Sequence, residues 1–171
     1  MNRASRNRLN ERHLEHFQGS TLFDKIARAV CRAGCLPRKE LYESWEVARR
    51  VHRRFRGMRI LDLACGHGLL AQILLLLDDS IPAALAIDRS LPPSALRLNE
   101  SLQEAWPRLS GRLTFHEESL ENVSITRGDL LLSVHGCGEL TDRIIELAPV
   151  AGNLAGVKAD ASACRREWIF Y

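Results

Sequence analysis

The sequence predicts an α/β fold in which a parallel sheet carries helices on both faces. From residue 58 onward, short apolar runs alternate with segments of helical period, the rhythm of a chain that lays down strand, helix and strand in turn. The first of these runs, RILDLAC, breaks at Gly66-His67-Gly68 and resumes as the leucine-rich LLAQILLLL. A buried strand turning through glycines into a buried helix writes that pattern. At 171 residues and 46% hydrophobic content, the chain has material for one sizeable core.

Each element follows from local signals. STLFDKIARAVCRAG opens with Ser20 and Thr21 as caps, places Leu22, Ile26, Ala29 and Val30 on one face and closes at Gly34, which predicts a helix. PRKELYESWEVARRVHRRFRG starts with Pro37 near its first turn, repeats Leu41, Trp45, Ala48, Val51 and Phe55 at helical spacing and stops at Gly57. Beyond it, MRILDLAC reads as a strand, GLLAQILLLLD as a helix, AALAID as a strand and PPSALRLNESLQEAW as a helix started by prolines. RLTFHEES is a third strand, LENVSITRGD a connection, LLLSVHG a fourth strand and LTDRIIELA a helix starting near Thr141.

The net charge of +3 is unevenly spread. Residues 1–56 hold fourteen Lys/Arg against six Asp/Glu, and the remainder holds ten against fifteen. A basic front half suits a polyanion such as RNA, with Arg49, Arg50, Arg53 and Arg54 on the polar side of the second helix; arginines on a solvated face are the competing explanation. The longest apolar stretch, around Leu69–Leu77, is far short of the ~20 residues that cross a bilayer, so no membrane span is expected. The N-terminus is basic without an apolar core, and Glu11 and Glu15 argue against a transit peptide, so the expectation is a cytoplasmic protein. Cysteines at 31, 35, 65, 137 and 164 are odd in number and irregularly spaced, which favours reduced thiols. CRAGC lacks a second pair to complete a metal site, and no metal is expected.

The glycine turn limits the ligand. In an open parallel sheet, ligands bind beyond the carboxyl ends of the strands, and Asp62 to Gly68 occupies that position. The third glycine of a dinucleotide fingerprint is missing, and no G-x-x-x-x-G-K-[ST] run exists. LDLACGHG instead resembles the first motif of class I S-adenosylmethionine-dependent methyltransferases, D/E-x-x-x-G-x-G. The resemblance extends over about residues 37–149 and implies a three-layer Rossmann-like methyltransferase sheet with an N-terminal helical extension. It also implies S-adenosyl-L-methionine as cofactor, with Asp62, Cys65, Gly66 and Gly68 against its methionine part and Asp88, closing the second strand, on the ribose hydroxyls. A carboxylate accepts two hydrogen bonds from a vicinal diol, an independent reason for an acid there. Asp62 has a second reading as a turn former bonding nearby N–H groups. After the third strand, the same resemblance puts Glu118 and Leu120 at the adenine, against the plainer reading of an exposed acidic turn.

HGCGELTD resembles the H-x-C-G-x-x-T-D signature of a methyltransferase subgroup that includes the tRNA 2′-O-methyltransferases of the acceptor stem. The helix KELYESWEVARR is similar to one in uncharacterised bacterial relatives. Ser133, His135 and Cys137 would then arrive where the methyl meets its acceptor. His135 is the candidate catalytic residue, as a proton acceptor or as a loop-fixing group; Cys137 reads as a small loop residue, Thr141 and Asp142 as helix N-terminal residues and His67 as a tolerated variable position.

The organisation expected is a basic helical extension at 1–56, a cofactor-binding domain at 57–149 and an irregular tail at 150–171. The family sheet needs a fifth strand, a helix and an antiparallel pair after IIELA, but only WIFY reads as a strand, so the sheet is expected to be incomplete on its C-terminal side. That would leave the fourth strand as an open edge, a place for a homodimer to form. A truncated or frame-altered product, half of a swapped dimer and a minimal binder all remain open. The function expected is methyl transfer from S-adenosylmethionine with RNA as acceptor; the alternative is a non-catalytic or truncated S-adenosylmethionine-binding module.

Overall fold

A computed structural model describes residues 5–134, 139–159 and 166–170 of the chain. Its first long helix, α1 (Leu22–Ala33), is held at both ends as the sequence predicts. The Thr21 hydroxyl accepts from the Asp24 N–H, and Gly34 takes the left-handed φ of 64° that closes the helix. Helix α2 (Arg38–Arg54) begins directly after Pro37 and buries the stripe Leu41, Ser44, Val47, Ala48 and Val51. Strand β1 (Ile60–Leu63), α3 (Leu69–Leu77), β2 (Ala84–Asp88), α4 (Ser94–Ala105) and β3 (Leu113–Glu117) follow in alternation, then β4 (Leu130–Ser133), α5 (Glu139–Ala151), β5 (Leu154–Ala159) and β6 (Arg166–Phe170).

The six strands form one sheet in the order β3-β2-β1-β4-β5-β6. The first five are parallel, and β6 pairs antiparallel with β5. Strand order reverses beside β1, so the crevice beyond the carboxyl ends of β1 and β4 is where such a sheet binds ligands.

Period-two alternation divides the core. Ile60, Leu130 and Leu132 join the cluster that holds the buried residues of α1 to α4, whereas Leu61, Leu63 and Leu131 join Ile144 and Ala148 of α5. On the first side α2 packs on α3 and α1 on α4, so residues of the basic front half share one continuous core with the sheet. This explains why α3 is apolar all round: Leu69 to Leu76 are all buried, in contact with α2 as well as with β1 and β2. The starts of the two central strands are tied by Arg59, which donates to Asp129 at 2.8 and 2.6 Å. Burial alone would raise the Asp129 carboxyl, but its bonds from Arg59 and Thr126 outweigh that and hold it below the usual range.

Two expectations are corrected here. Residues 150–171 are not an irregular tail, since β5 and β6 lie within them. LAGVKA is poor in bulky β-formers, and it is pairing of Leu154, Ala155 and Gly156 with Leu131, Leu132 and Ser133 that makes it a strand. For the same reason β4 is an interior strand between β1 and β5, not the open edge on which a homodimer was expected to form. No helix among the described residues is long and apolar enough to cross a membrane.

Candidate functional site

The turn between β1 and α3 alternates its backbone handedness: Ala64, Gly66 and Gly68 have φ of 57°, 54° and 67°. Ala64 holds this conformation without being glycine, at a cost of about 1–2 kcal/mol. The two glycines serve different ends. A Cβ on Gly68 would stand 2.9 Å from the Phe115 ring and 3.3 Å from the Ala86 Cβ, so this glycine lets the turn pack on β2 and β3. A Cβ on Gly66 would meet nothing within 4 Å. Open space lies beside its backbone.

Asp88, at the end of β2, reaches back to this turn. Its Oδ2 accepts the Gly66 N–H at 2.8 Å and its Oδ1 accepts the Ser90 N–H at 3.2 Å. The Cys65 N–H donates to the Ile87 carbonyl and the Gly68 N–H to the Cys65 carbonyl, which fastens the turn to the end of β2. Four of the residues expected around a cofactor, Cys65, Gly66, Gly68 and Asp88, are thus brought together, and Asp62 lies at their base. The Glu118 N–H donates to the Asp88 carbonyl at 2.9 Å, and the Glu118 carboxylate lies 3.5 Å from the His116 ring. Leu120 packs with the hydrophobic cluster of α5. His135 and Cys137 lie outside the described residues; Ser133, which precedes them, is buried at the end of β4.

Below the turn lies a small cleft, partly open to solvent. Asp62, Cys65 and His67 line it from the turn, Val134 from the end of β4, and Leu36, Glu40 and Ser44 from the front half of the chain. Asp62 is only 2% exposed. Its Oδ2 accepts a long bond from the Ala71 N–H at 3.4 Å, as the turn-forming reading expects. Burial, with a smaller push from the Asp88 carboxylate, raises its pKa to about 7 against the opposing Ala71 bond. Burial and the same two carboxylates raise the Cys65 thiol well above its ordinary value, so it is an inert lining group.

His67 contacts elements on both sides of the turn. Its Nε2 lies 2.9 Å from the Ser94 hydroxyl of α4 and its Nδ1 lies 4.0 Å from the Glu40 carboxylate of α2, so it links two helices across the turn. Glu40 and Ser44 had no sequence signal, because the cleft is completed by a segment far from the glycine turn in the chain. Cys31 and Cys35 are buried in the core, and burial pushes the Cys31 thiol up to about 11. No group of three metal-ligating side chains exists among the described residues.

The architecture is shared with solved structures. An S-adenosylmethionine-dependent O-methyltransferase from Thermotoga maritima superposes with a TM-score of 0.53 at 21% identity, over 71% of this chain and 45% of that one. An O-methyltransferase family protein from Burkholderia thailandensis gives 0.52 at 19%, over 85% and 44%. A proposed RNA methyltransferase from Pyrococcus horikoshii gives 0.53 at 16%, over 71% and 62%. The fold is the Rossmann-like methyltransferase fold. This chain spans between 44% and 62% of the length of those methyltransferases, and its sequence matches no protein-family model and no curated protein.

Proposed function

We propose that this chain binds S-adenosylmethionine and transfers its methyl group, with RNA as the acceptor class. The observation that carries the reading is the bond from the Gly66 N–H to Asp88. It sets an acid at the end of β2 against a glycine turn whose backbone borders open space, where a nucleoside with a vicinal diol is recognised. The residues fit the cofactor on two further counts: Gly66 leaves room that a Cβ would fill, and the buried Asp62 lines the cleft beneath the turn. When bound, S-adenosylmethionine supplies an electrophilic methyl carried on a sulfonium.

The chain's own residues would do the following. Asp88 holds the sugar while keeping the turn closed through Gly66. Asp62 and Cys65 floor the methionine end and keep water from it. Glu118 and Leu120 are proposed at the adenine from their place after β3, and His135 as the proton acceptor from its place after β4. RNA as the acceptor is supported by the charge of residues 1–56, by Arg49, Arg53 and Arg54 being exposed on α2, and by one neighbour of this fold being a proposed RNA methyltransferase. Arg50 is already engaged by Glu46 at 2.8 Å and contributes less to such a surface.

Calorimetry with S-adenosylmethionine tests the site. Asp88→Asn keeps an oxygen for the Gly66 N–H but loses the charge, and should weaken binding about tenfold or more; a folded wild-type protein that binds nothing defeats the reading. Transfer of a tritiated methyl to bulk tRNA tests the enzyme. Binding without transfer would leave a cofactor-binding module.

A further inference from the structure

We propose that Arg8, Arg32 and Arg97 form a phosphate-binding rim at the mouth of the crevice, where the backbone of the acceptor RNA is held beside the glycine turn. The inference rests on the RNA reading above and says where on the molecule the nucleic acid crosses. Three segments meet there. The His67 ring of the turn bonds the Ser94 hydroxyl at the start of α4, and Arg97 follows about one turn later. Helix α1 packs on α4, with the Ser101 hydroxyl donating to the Ala29 carbonyl at 2.8 Å. Just beyond α1, burial raises the Cys35 thiol, and the charges of Arg97 and Arg8 oppose that rise. Since Ala29 meets Ser101 and Cys35 meets Arg97, α1 runs antiparallel to α4 and brings Arg32, in its last turn, to the crevice side. The N-terminal segment completes the rim. Arg8 pairs antiparallel with Pro37, and the Leu9 N–H donates at 2.8 Å to the carbonyl of Leu36, which lines the cleft.

All three arginines are exposed, and none of their side chains has an ion-pair partner among the described residues. Glu40 is the carboxylate that acts on the same Cys35 thiol, and it already faces His67 at 4.0 Å. A guanidinium fork matches the oxygens of a phosphate, and a nucleic-acid strand offers such anions at regular intervals. Position decides the rest. A methyl acceptor has to reach the carboxyl ends of β1 and β4, and the phosphates on either side of it then lie over this rim. The later arginines of α2 stand at the other end of the sheet. Val51, His52, Phe55 and Arg56 share a hollow with Ile60 and Leu130, the first residues of β1 and β4, and the 17 residues of α2 span about 25 Å. Arg53 and Arg54 therefore hold only RNA that runs the length of the helix, and the rim holds the part nearest the chemistry.

Anisotropy of fluorescein-labelled bulk tRNA, titrated with the full chain over a range of salt, tests the rim. Arg8→Gln/Arg97→Gln keeps long side chains without their charge. It should weaken binding about tenfold at moderate salt and flatten the slope of log affinity against log salt by about 1.5. Calorimetry should show its affinity for S-adenosylmethionine unchanged, and a thermal melt that it is folded. Arg8→Lys/Arg97→Lys, which keeps the charge but not the fork, should retain the slope and recover part of the affinity. An unchanged slope in the folded glutamine variant overturns the rim while the RNA reading stands. Displacement of tRNA by poly-glutamate as readily as by unlabelled tRNA of equal charge also overturns it, in favour of an acidic protein partner. If the folded wild-type protein binds no tRNA, or binds it without dependence on salt, the rim and the RNA reading fall together.

Discussion

At the scale of single residues, Asp62 stands out, since a carboxylate with a long hydrogen bond is only 2% exposed at the edge of the cleft. In the unfolded chain it ionises near 3.8, but in the native protein only near 7. Between those values the native state holds a proton that the unfolded state has released, so stability falls as pH rises through this window and the loss is complete above it. Each unit of difference is worth about 1.4 kcal/mol. Thermal or urea melts of ligand-free protein should show wild type losing on the order of 2–3 kcal/mol more than Asp62→Asn between pH 5 and pH 8. Equal pH dependence in the two would show that the carboxyl is solvated. The sequence exposes Asp62 as a site residue because it stands four places before Gly66 in LDLACG; its altered acidity is not visible there, being a product of the strands and helices that enclose it. Glu40 and His67 were illegible for a related reason, since their pairing joins segments that periodicity treats separately.

At the scale of elements, the turn from β1 into α3 combines two glycines with different physical duties. Gly68→Ala adds a methyl against Phe115 and Ala86 on top of a left-handed φ, and should cost about 2–4 kcal/mol of stability. Gly66→Ala meets open space and should cost only about 1 kcal/mol. The order inverts for the ligand: Gly66→Ala should fold yet lose S-adenosylmethionine binding, because its methyl occupies the space the ligand approaches. Melts and calorimetry on both variants check the pair; retained binding in Gly66→Ala would place the ligand elsewhere. The sequence marks this turn because only glycine tolerates such backbone cheaply, but it does not say which glycine packs and which makes room. Strand β5 shows the opposite case. LAGVKA has little intrinsic preference for strand, and its conformation is imposed by the edge of β4.

At the scale of the whole molecule, the basic front half and the sheet form one body with a shared core, which sets the arginines of α2 on the outside of the helix whose inner side closes the cleft. If RNA is the acceptor, its binding should weaken steeply with salt, and an Arg49→Ala/Arg53→Ala variant should flatten the slope of log affinity against log salt by about 1.5. An unchanged slope removes α2 from the RNA surface. The alternation of strand and helix, the central apolar strands, the glycine turn and the acid at the end of β2 were determined by the sequence alone, because each is a local pattern of period, size or backbone freedom. Only the tertiary structure decided that β4 is interior, that β5 and β6 extend the sheet, and that α2 carries Glu40 and Ser44 to Asp62. These depend on which distant segments meet, and pairing energy between remote parts of a chain leaves no period in the residues themselves.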